Sequence, residues 1–327
     1  MRSLEDRIVT KPDDNIDELR KKHPEGLHFA VGDIHGEVRT LKKLMKKIRF
    51  DPARDHVYFV GDYDSGGDVT ALLNYMSRYY QADHELPGFH MIRGNHEREL
   101  FPVYPLENLP DIMVVRGRKL NFYIAHAGIV SAAFGLINDD MSREPHRKVF
   151  AYRLEDSTCC YDAPLRQVVW SLRGLYSQRS WRHVWPSEED LTAHNACIIH
   201  GHSPYCYFKK PDRFTYGDDN LFWRSQHVWF CSELRSFNID ANVKGREQNG
   251  ETYRGIACLC MEVYDELADK HDGCLSTDLV HDAENGIFGA EYEHCGWNYS
   301  TSSPDSILNA VCDMKTIVLE GDVLKIR

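Results

Sequence analysis

From Leu27 onward, short apolar runs alternate with amphipathic stretches, and the two kinds of segment have different periods. Leu27 to Val31, His56 to Val60 and Phe89 to Ile92 have the length and content of buried strands. Between them, Val38 to Ile48 and Val69 to Tyr80 repeat as helices do, with Leu41, Leu44, Met45 and Ile48 on one side. Strand and helix alternating at these lengths predict right-handed crossovers and a parallel core. Further apolar runs follow at Ile112 to Val115, Leu120 to Ala125, Ala196 to Ile199, Val228 to Cys231, Ser236 to Ile239 and Ile256 to Val263. Their short connections predict mixed or antiparallel pairing. Residues 130–195 combine helical pieces with many aromatics and are expected to form a cap over one edge. The pattern divides the chain into an N-terminal extension (1–26, with a short helix at Ile16 to Lys22), a main domain (27–266) and a turn-rich C-terminal extension (267–327). A strand is expected at Thr316 to Leu319 in the last of these. The predicted fold class is α/β, with mixed sheet in the middle and helices outside.

Charge narrows the possible partners. A net charge of -11 opposes non-specific nucleic-acid binding unless a basic patch is set apart. Lys42, Lys43, Lys46 and Lys47 have the spacing of a solvated helix face, and Lys209-Lys210 is only a pair. The ten cysteines include no Cys-x-x-Cys, which argues against a zinc ribbon, and Cys258 and Cys260 would share one face of a strand. Met1 to Thr10 lacks the apolar core of a signal peptide, and no run has the length of a membrane span. A reducing cytoplasm, with free thiols, is the expected setting. Asn298-Tyr299-Ser300 is then a chance match to the glycosylation pattern.

The chemistry follows the apolar runs. The first ends in Gly32-Asp33-Ile34-His35-Gly36, the second in Gly61-Asp62 and the third in Gly94-Asn95-His96-Glu97. Two later runs end in His126-Ala127-Gly128 and His200-Gly201-His202. Taken singly, a Gly-Asp at a strand end reads as a turn, and a lone histidine reads as a hydrogen-bonded core residue. Taken together, Asp, Asn and His recur beside glycine at strand ends, where open α/β sheets bind ligands. Oxygen and imidazole donors without thiolate suit manganese, iron or zinc.

These blocks resemble the signature set of the calcineurin-like metallophosphoesterases, and among those the phosphoprotein phosphatases and their bacterial relatives, including the diadenosine tetraphosphatases. Gly201-His202-Ser203 completes the set, and the likeness runs over roughly residues 27–264. The resemblance implies a β-sandwich of mixed sheets flanked by helices. It also implies two divalent ions, manganese first with iron or zinc as alternatives, that supply a bridging hydroxide. On the same basis Asp33, His35 and Asp62 are the expected ligands of one ion. Asp62, Asn95, His126 and His202 are those of the other, with His200 behind them. Arg93 is expected to grip phosphate beside Asn95, and His96 to protonate the leaving oxygen. For Arg93 the plainer alternative is a strand-end ion pair with Glu97, itself expected to be structural.

One block departs from the family pattern. Phosphatases usually read Gly-Asp-x-Val-Asp-Arg-Gly where this chain has Gly61-Asp62-Tyr63-Asp64-Ser65-Gly66-Gly67. Ser65 thus replaces the aspartate that orients the histidine, and Gly66 replaces a phosphate-binding arginine. Asp64, one place early, is the substitute partner for His96. Arg166, Arg173, Arg179 and Arg182 are candidate replacement cations, and Tyr205 to Trp223 is a candidate substrate-facing loop. The leading expectation is a phosphatase acting on phosphoproteins, phosphopeptides or small phosphoesters. The alternatives are a dinucleoside tetraphosphatase or phosphodiesterase, and a catalytically silent binding module that keeps the fold.

Overall fold

The computed structural model describes residues 12–64, 67–100, 109–154, 185–202, 222–224, 228–241, 243, 254–292 and 322–324. Two mixed sheets face each other. The first has the order β12-β11-β1-β2-β3 and the second β13-β6-β4-β5-β7-β10-β9-β8. In the first, β1 (His28–Val31), β2 (His56–Phe59) and β3 (Gly88–Met91) are parallel, as the helix-length crossovers α2 (Val38–Lys47) and α3 (Val69–Met76) require. Leu41 and Leu44 of α2 are fully buried, each such side chain contributing about 1.5–3 kcal/mol. The helix α3 stops at Met76, short of the predicted Tyr80, which instead bridges to Phe89.

The second sheet takes β4 (Ile112–Arg116), β5 (Asn121–Ala125), β6 (Val149–Leu154), β7 (Ala196–His200), β8 (Phe222–Arg224), β9 (Trp229–Cys231) and β10 (Ser236–Asn238). It is mixed as expected: β4 and β5 are antiparallel, while β5, β7 and β10 run parallel. Alternation along these strands divides the core. Met113, Val115, Phe122, Ile124, Cys197 and Ile199 join the core shared with the first sheet. Ile112, Val114, Tyr123, Ala125 and Ile198 pack instead with Phe134, Ile137 and Met141 of α5 (Ser131–Arg143).

Two expectations need correction. Residues 130–195 are not a cap in their described parts: β6 lies inside the second sheet beside β4, and α5 covers that sheet's face. The apolar run Ile256 to Val263 is not one strand. Its first part is β11 (Gly255–Cys260), and α7 (Met261–Lys270) begins directly after it, burying Met261, Tyr264 and Ala268 at helical spacing. A further helix, α6 (Glu188–Ala193), capped by Ser187, precedes β7.

The boundary read at 266/267 falls inside α7. Beyond it come α8 (Thr277–Asp282), β12 (Ile287–Glu291), which pairs with β11, and β13 (Asp322–Leu324), which pairs with β6. At the other end, α1 (Pro12–Lys22) buries Ile16 and Leu19, and its Arg20 reaches Asp55 at 2.7 Å. The predicted strand at 316–319 and residues 298–300 lie outside the described residues. Among the described residues, no helix is long and apolar enough to cross a membrane.

Candidate active site

The parallel strands β1, β2 and β3 of one sheet and β5 and β7 of the other end at the same end of the sandwich, and their outgoing loops meet. The first two loops are joined by backbone: the Asp62 carbonyl accepts from Ile34 and His35, and the Tyr63 carbonyl from Gly36. The third is drawn in by Glu97, on α4 (Asn95–Leu100). The Glu97 carboxylate accepts from the N–H groups of Asp62 (3.0 Å), Tyr63 (2.7 Å) and Gly94 (2.7 Å). Burial, and then the charges of Asp62 and Asp64, push its pKa up to about 8, while the Tyr63 and Gly94 N–H groups pull it down. The second sheet is tied in where His202 N–H donates to the Asp33 carboxylate at 3.1 Å, while within that sheet Gly201 N–H donates to the His126 carbonyl.

Close approach explains two of the glycines. A Cβ on Gly61 would lie 2.6 Å from the Gly94 nitrogen, and Gly61 has φ +105. A Cβ on Gly201 would lie 2.0 Å from Asp33 Oδ1. Three of the candidate ligands are themselves left-handed: His35 (φ 48), Asp62 (φ 55) and His202 (φ 70). Such backbone is uncommon outside glycine and gathers at functional sites.

All six sequence-predicted ligands are brought together. On one side, the His126 Nδ1–H donates to the Val60 carbonyl at 2.8 Å, which leaves the lone pair of the neutral ring on Nε2. That Nε2 lies 2.9 Å from Asn95 Oδ1, 3.0 Å from His202 Nδ1 and 3.3 Å from Asp62 Oδ1. His202 Nδ1 is also 2.9 Å from Asn95 Oδ1. On the other side, His35 Nδ1–H donates to the Asp64 carbonyl at 2.9 Å, and Nε2 faces Asp62 Oδ2 (3.8 Å) and Asp33 Oδ2 (3.9 Å). The donor atoms of His35, Asp62 and His96 lie within 4.8 Å of one another, as do those of Asp62, His126 and His202. Asp62 belongs to both groups. Burial opposes ionisation of Asp62, but His126, His35, His96 and His202 outweigh it and hold the carboxyl well below the usual carboxylate range.

These residues fit two divalent cations. Each side gathers lone pairs of oxygen and imidazole nitrogen with their rings already turned by a backbone acceptor, the arrangement that metal-binding histidines need. The donor set contains no thiolate and suits manganese, iron or zinc.

Around the ligands, His96 sits with Nδ1 3.4 Å from Asp64 Oδ1 and Nε2 3.7 Å from Asp62 Oδ2. Asp64, one place early in its block, thus stands beside the ring. Arg93 pairs with Asp111 and not with Glu97: Asp111 Oδ1 accepts from Nη2 at 2.9 Å and Nε at 3.2 Å, while Oδ2 accepts from Leu154 N–H at 2.7 Å. Burial pushes the Asp111 carboxyl up to about 6, and Arg93 pulls it back down. Sequence reasoning missed Asp111, which stands 18 residues from its partner in an unmarked turn. His200 is buried next to Trp185 and lies behind the site, with burial pushing its pKa down to about 4. Ser65, Gly66, Arg166, Arg173, Arg179, Arg182 and residues 205–221 lie outside the described residues.

Comparison with known proteins agrees with this end of the molecule. A symmetrical bis(5'-nucleosyl)-tetraphosphatase from Photorhabdus laumondii subsp. laumondii is 35% identical over 77 residues, covering 23% of this chain and 26% of that protein. A protein of the same name from Serratia proteamaculans is 31% identical over 126 residues, 31% of this chain and 42% of that one. The match thus spans a quarter to two-fifths of these relatives' length. Among solved structures, a protein serine/threonine phosphatase from Saccharomyces cerevisiae aligns with a TM-score of 0.41 at 12% identity, covering 88% of each chain. The sequence model of one family, calcineurin-like phosphoesterase, matches residues 29–221 and so takes in all six ligand positions. A match over more than half of the chain, ending just beyond the last of those ligands, places this protein in the calcineurin-like phosphoesterase family.

Proposed function

We propose that this chain hydrolyses dinucleoside polyphosphates, with two divalent metal ions held around Asp62. That it is a hydrolase of phosphoester bonds follows from its family, which is dinuclear and metal-dependent. The observation that carries the reading is one buried carboxylate shared between two groups of converging donors. The substrate class is favoured over phosphoproteins because the curated relatives are named as symmetrical bis(5'-nucleosyl)-tetraphosphatases. This moves the alternative drawn from the sequence ahead of its leading expectation. Manganese is the proposed metal.

When bound, two such ions supply Lewis-acid polarisation of phosphoryl oxygen and a water of lowered pKa. The protein's own groups do the rest. Asp62, Asn95, His126 and His202 form one rigid wall, and Asp33 and His35 the other. His96 would hold a proton at Nε2 for the leaving oxygen, with its Nδ1 edge turned toward Asp64. In symmetrical cleavage, water adds to one phosphorus of the central P–O–P bridge. The bridging oxygen leaves on the other half with a proton, giving two nucleoside diphosphates.

A second reading rests on the His96–Asp64 pair. A phosphate leaving group needs little protonation, whereas an alkoxide needs a good proton donor, so a built acid favours phosphomonoesters. The deciding experiment compares kcat/KM with manganese on diadenosine tetraphosphate, phosphoserine peptide and phosphotyrosine peptide. ADP as the product and preferred turnover of the dinucleotide are expected. A tenfold preference for either peptide would establish the second reading, and full activity in chelated, metal-free protein would remove both.

A further inference from the structure

A second cluster of ionisable rings lies at the opposite end of the sandwich, where β1, β2 and β3 begin. His28 opens β1 and pairs in register with His56, which opens β2; two residues on, Tyr58 of β2 pairs with His90 of β3. Period two sets all four side chains on one face. The rings stack in a row. His28 and His56 have centroids 4.6 Å apart, His56 and His90 5.3 Å, and Tyr58 and His90 4.7 Å. His84, from the loop before β3, meets the edge of His90 at 5.7 Å. His56 Nδ1 and His90 Nε2 are hydrogen-bonded at 3.1 Å.

This face looks toward the second sheet. With Val115 and Phe122 of β4 and β5, and with Lys148, Met261 and Glu262, His28 lines a cleft of about 440 Å³ that is open at the base. The His28 side chain is 32% exposed there, whereas His90 is fully buried. The row therefore runs from solvent into the core.

We propose that this histidine row is an acid-sensitive latch between the two sheets. Neutral, the rings pack as core; protonated from the cleft inward, they force the base of the sandwich open. The carboxylates near the row, Glu262, Asp55, Glu85 and Asp83, favour a protonated ring, but each already accepts a hydrogen bond from another group. Glu262 already accepts from the His28 backbone and lies 2.6 Å from its Nδ1. Asp55, next to His56, is taken by Arg20 and by the Leu27 N–H. Glu85, facing Tyr58 and His84, accepts from the N–H groups of Lys148 and Val149 at the start of β6. Lys148 faces His56, and Arg147 faces His84 with Asp83 opposite; both cations repel a protonated ring. A second proton on the His56–His90 pair would set two donors against each other at 3.1 Å. In keeping with this, burial pushes His56 and His84 down to about 4 and holds His90 well below its ordinary value, with neighbouring histidines adding to the fall for His56 and His90.

The sign is fixed by linkage. A histidine whose folded pKa lies below its unfolded value of about 6.5 is fully stabilising above that pH. Its contribution is lost as pH falls from 6.5 toward 4. The test is proton uptake on unfolding, read from the pH dependence of urea stability in the full chain. At pH 5 the wild-type row should add about three protons to the uptake from His56, His84 and His90. The His56→Asn/His90→Gln variant should lower the uptake by about two, and His84→Gln alone by about one. If the double variant does not fold, ring-nitrogen NMR on wild type decides instead: His56 and His90 must stay neutral in the folded protein at pH 5. Unchanged uptake in the variants, or rings that titrate near 6.5 while the protein stays folded, would overturn the proposal.

Discussion

Glu97→Gln tests how the three loops of the first sheet are held in register. The wild-type carboxylate takes two N–H groups on Oε2, from Asp62 and Gly94, and one on Oε1, from Tyr63. Glutamine has a single acceptor oxygen. Its best orientation keeps the Asp62 and Gly94 bonds and turns an NH2 group onto the Tyr63 N–H. That orphans one buried donor, at a cost of about 1–3 kcal/mol. Above about pH 8, where the Glu97 carboxyl is ionised, it also makes the two surviving bonds neutral, roughly halving each. A total loss of about 2–5 kcal/mol follows, concentrated where Asp62 and Asn95 are positioned. Urea denaturation without metal at pH 9, above the Glu97 pKa of about 8, should show this loss, and calorimetric titration with manganese should show weaker binding of at least one ion. A variant within 0.5 kcal/mol of wild type, with unchanged manganese affinity, would refute the reasoning and reduce Glu97 to a bystander.

Gly201→Ala should disturb Asp33 without any backbone demand, because its Cβ would sit 2.0 Å from Asp33 Oδ1 and 2.8 Å from Val60 Cγ2. About 1–3 kcal/mol of overpacking is expected, with selective loss of the Asp33-side ion in metal analysis. His96→Asn should slow substrates with poor leaving groups by about 10²–10⁴-fold, spare nitrophenyl esters, and leave metal content intact. Equal slowing of both, with metals bound, would show that His96 is not the proton donor. Saturating manganese at about 100 times its Kd should stabilise the wild type by about 2.7 kcal/mol for each ion bound and raise its Tm. Asp62→Asn should lose more than the 10–100-fold in metal affinity expected when only a supporting partner of a ligand is removed.

Much of this architecture was legible in the sequence wherever one residue's period fixed its neighbours. β1, α2, β2 and β3 declare themselves because parallel strands buried on both faces read as continuous apolar runs, and the crossover helix has one apolar stripe. The edge strands β12 and β13 do not, although β3, at the opposite edge of its sheet, does. β12 and β13 each pair on one side only, so half their positions need not be apolar. The strand β6 is internal, yet it lies in a stretch whose aromatics suggested a separate cap. At Cys260 the chain turns from strand to helix with no glycine or proline to mark the change. Only the spacing of Met261, Tyr264 and Ala268 betrays it, and Val263 masks that spacing by extending the strand-like run.

The site divides along similar lines, for a reason that reaches past this protein. The candidate ligands stood out because each is a chemically specific residue next to, or within two residues of, a glycine at the end of a run, and five such tips on two sheets have one end in common. What supports them was not readable, since it depends on distance in space. Asp111 meets Arg93 only because β4 starts where β3 ends, and Glu97 becomes a three-way acceptor only once its helix turns beneath the loop that follows β2. The left-handed backbones of His35, Asp62 and His202 belong to this second class. Nothing in the residue names demands them, and each costs free energy that the neighbouring hydrogen bonds must offset. His35 is held through its own N–H to the Asp62 carbonyl, Asp62 by Glu97, and His202 by the Asp33 carboxylate. The strained candidate ligands are thus fastened to one another by the protein's own hydrogen bonds, so a single lost acceptor such as Glu97 should loosen more than one of them.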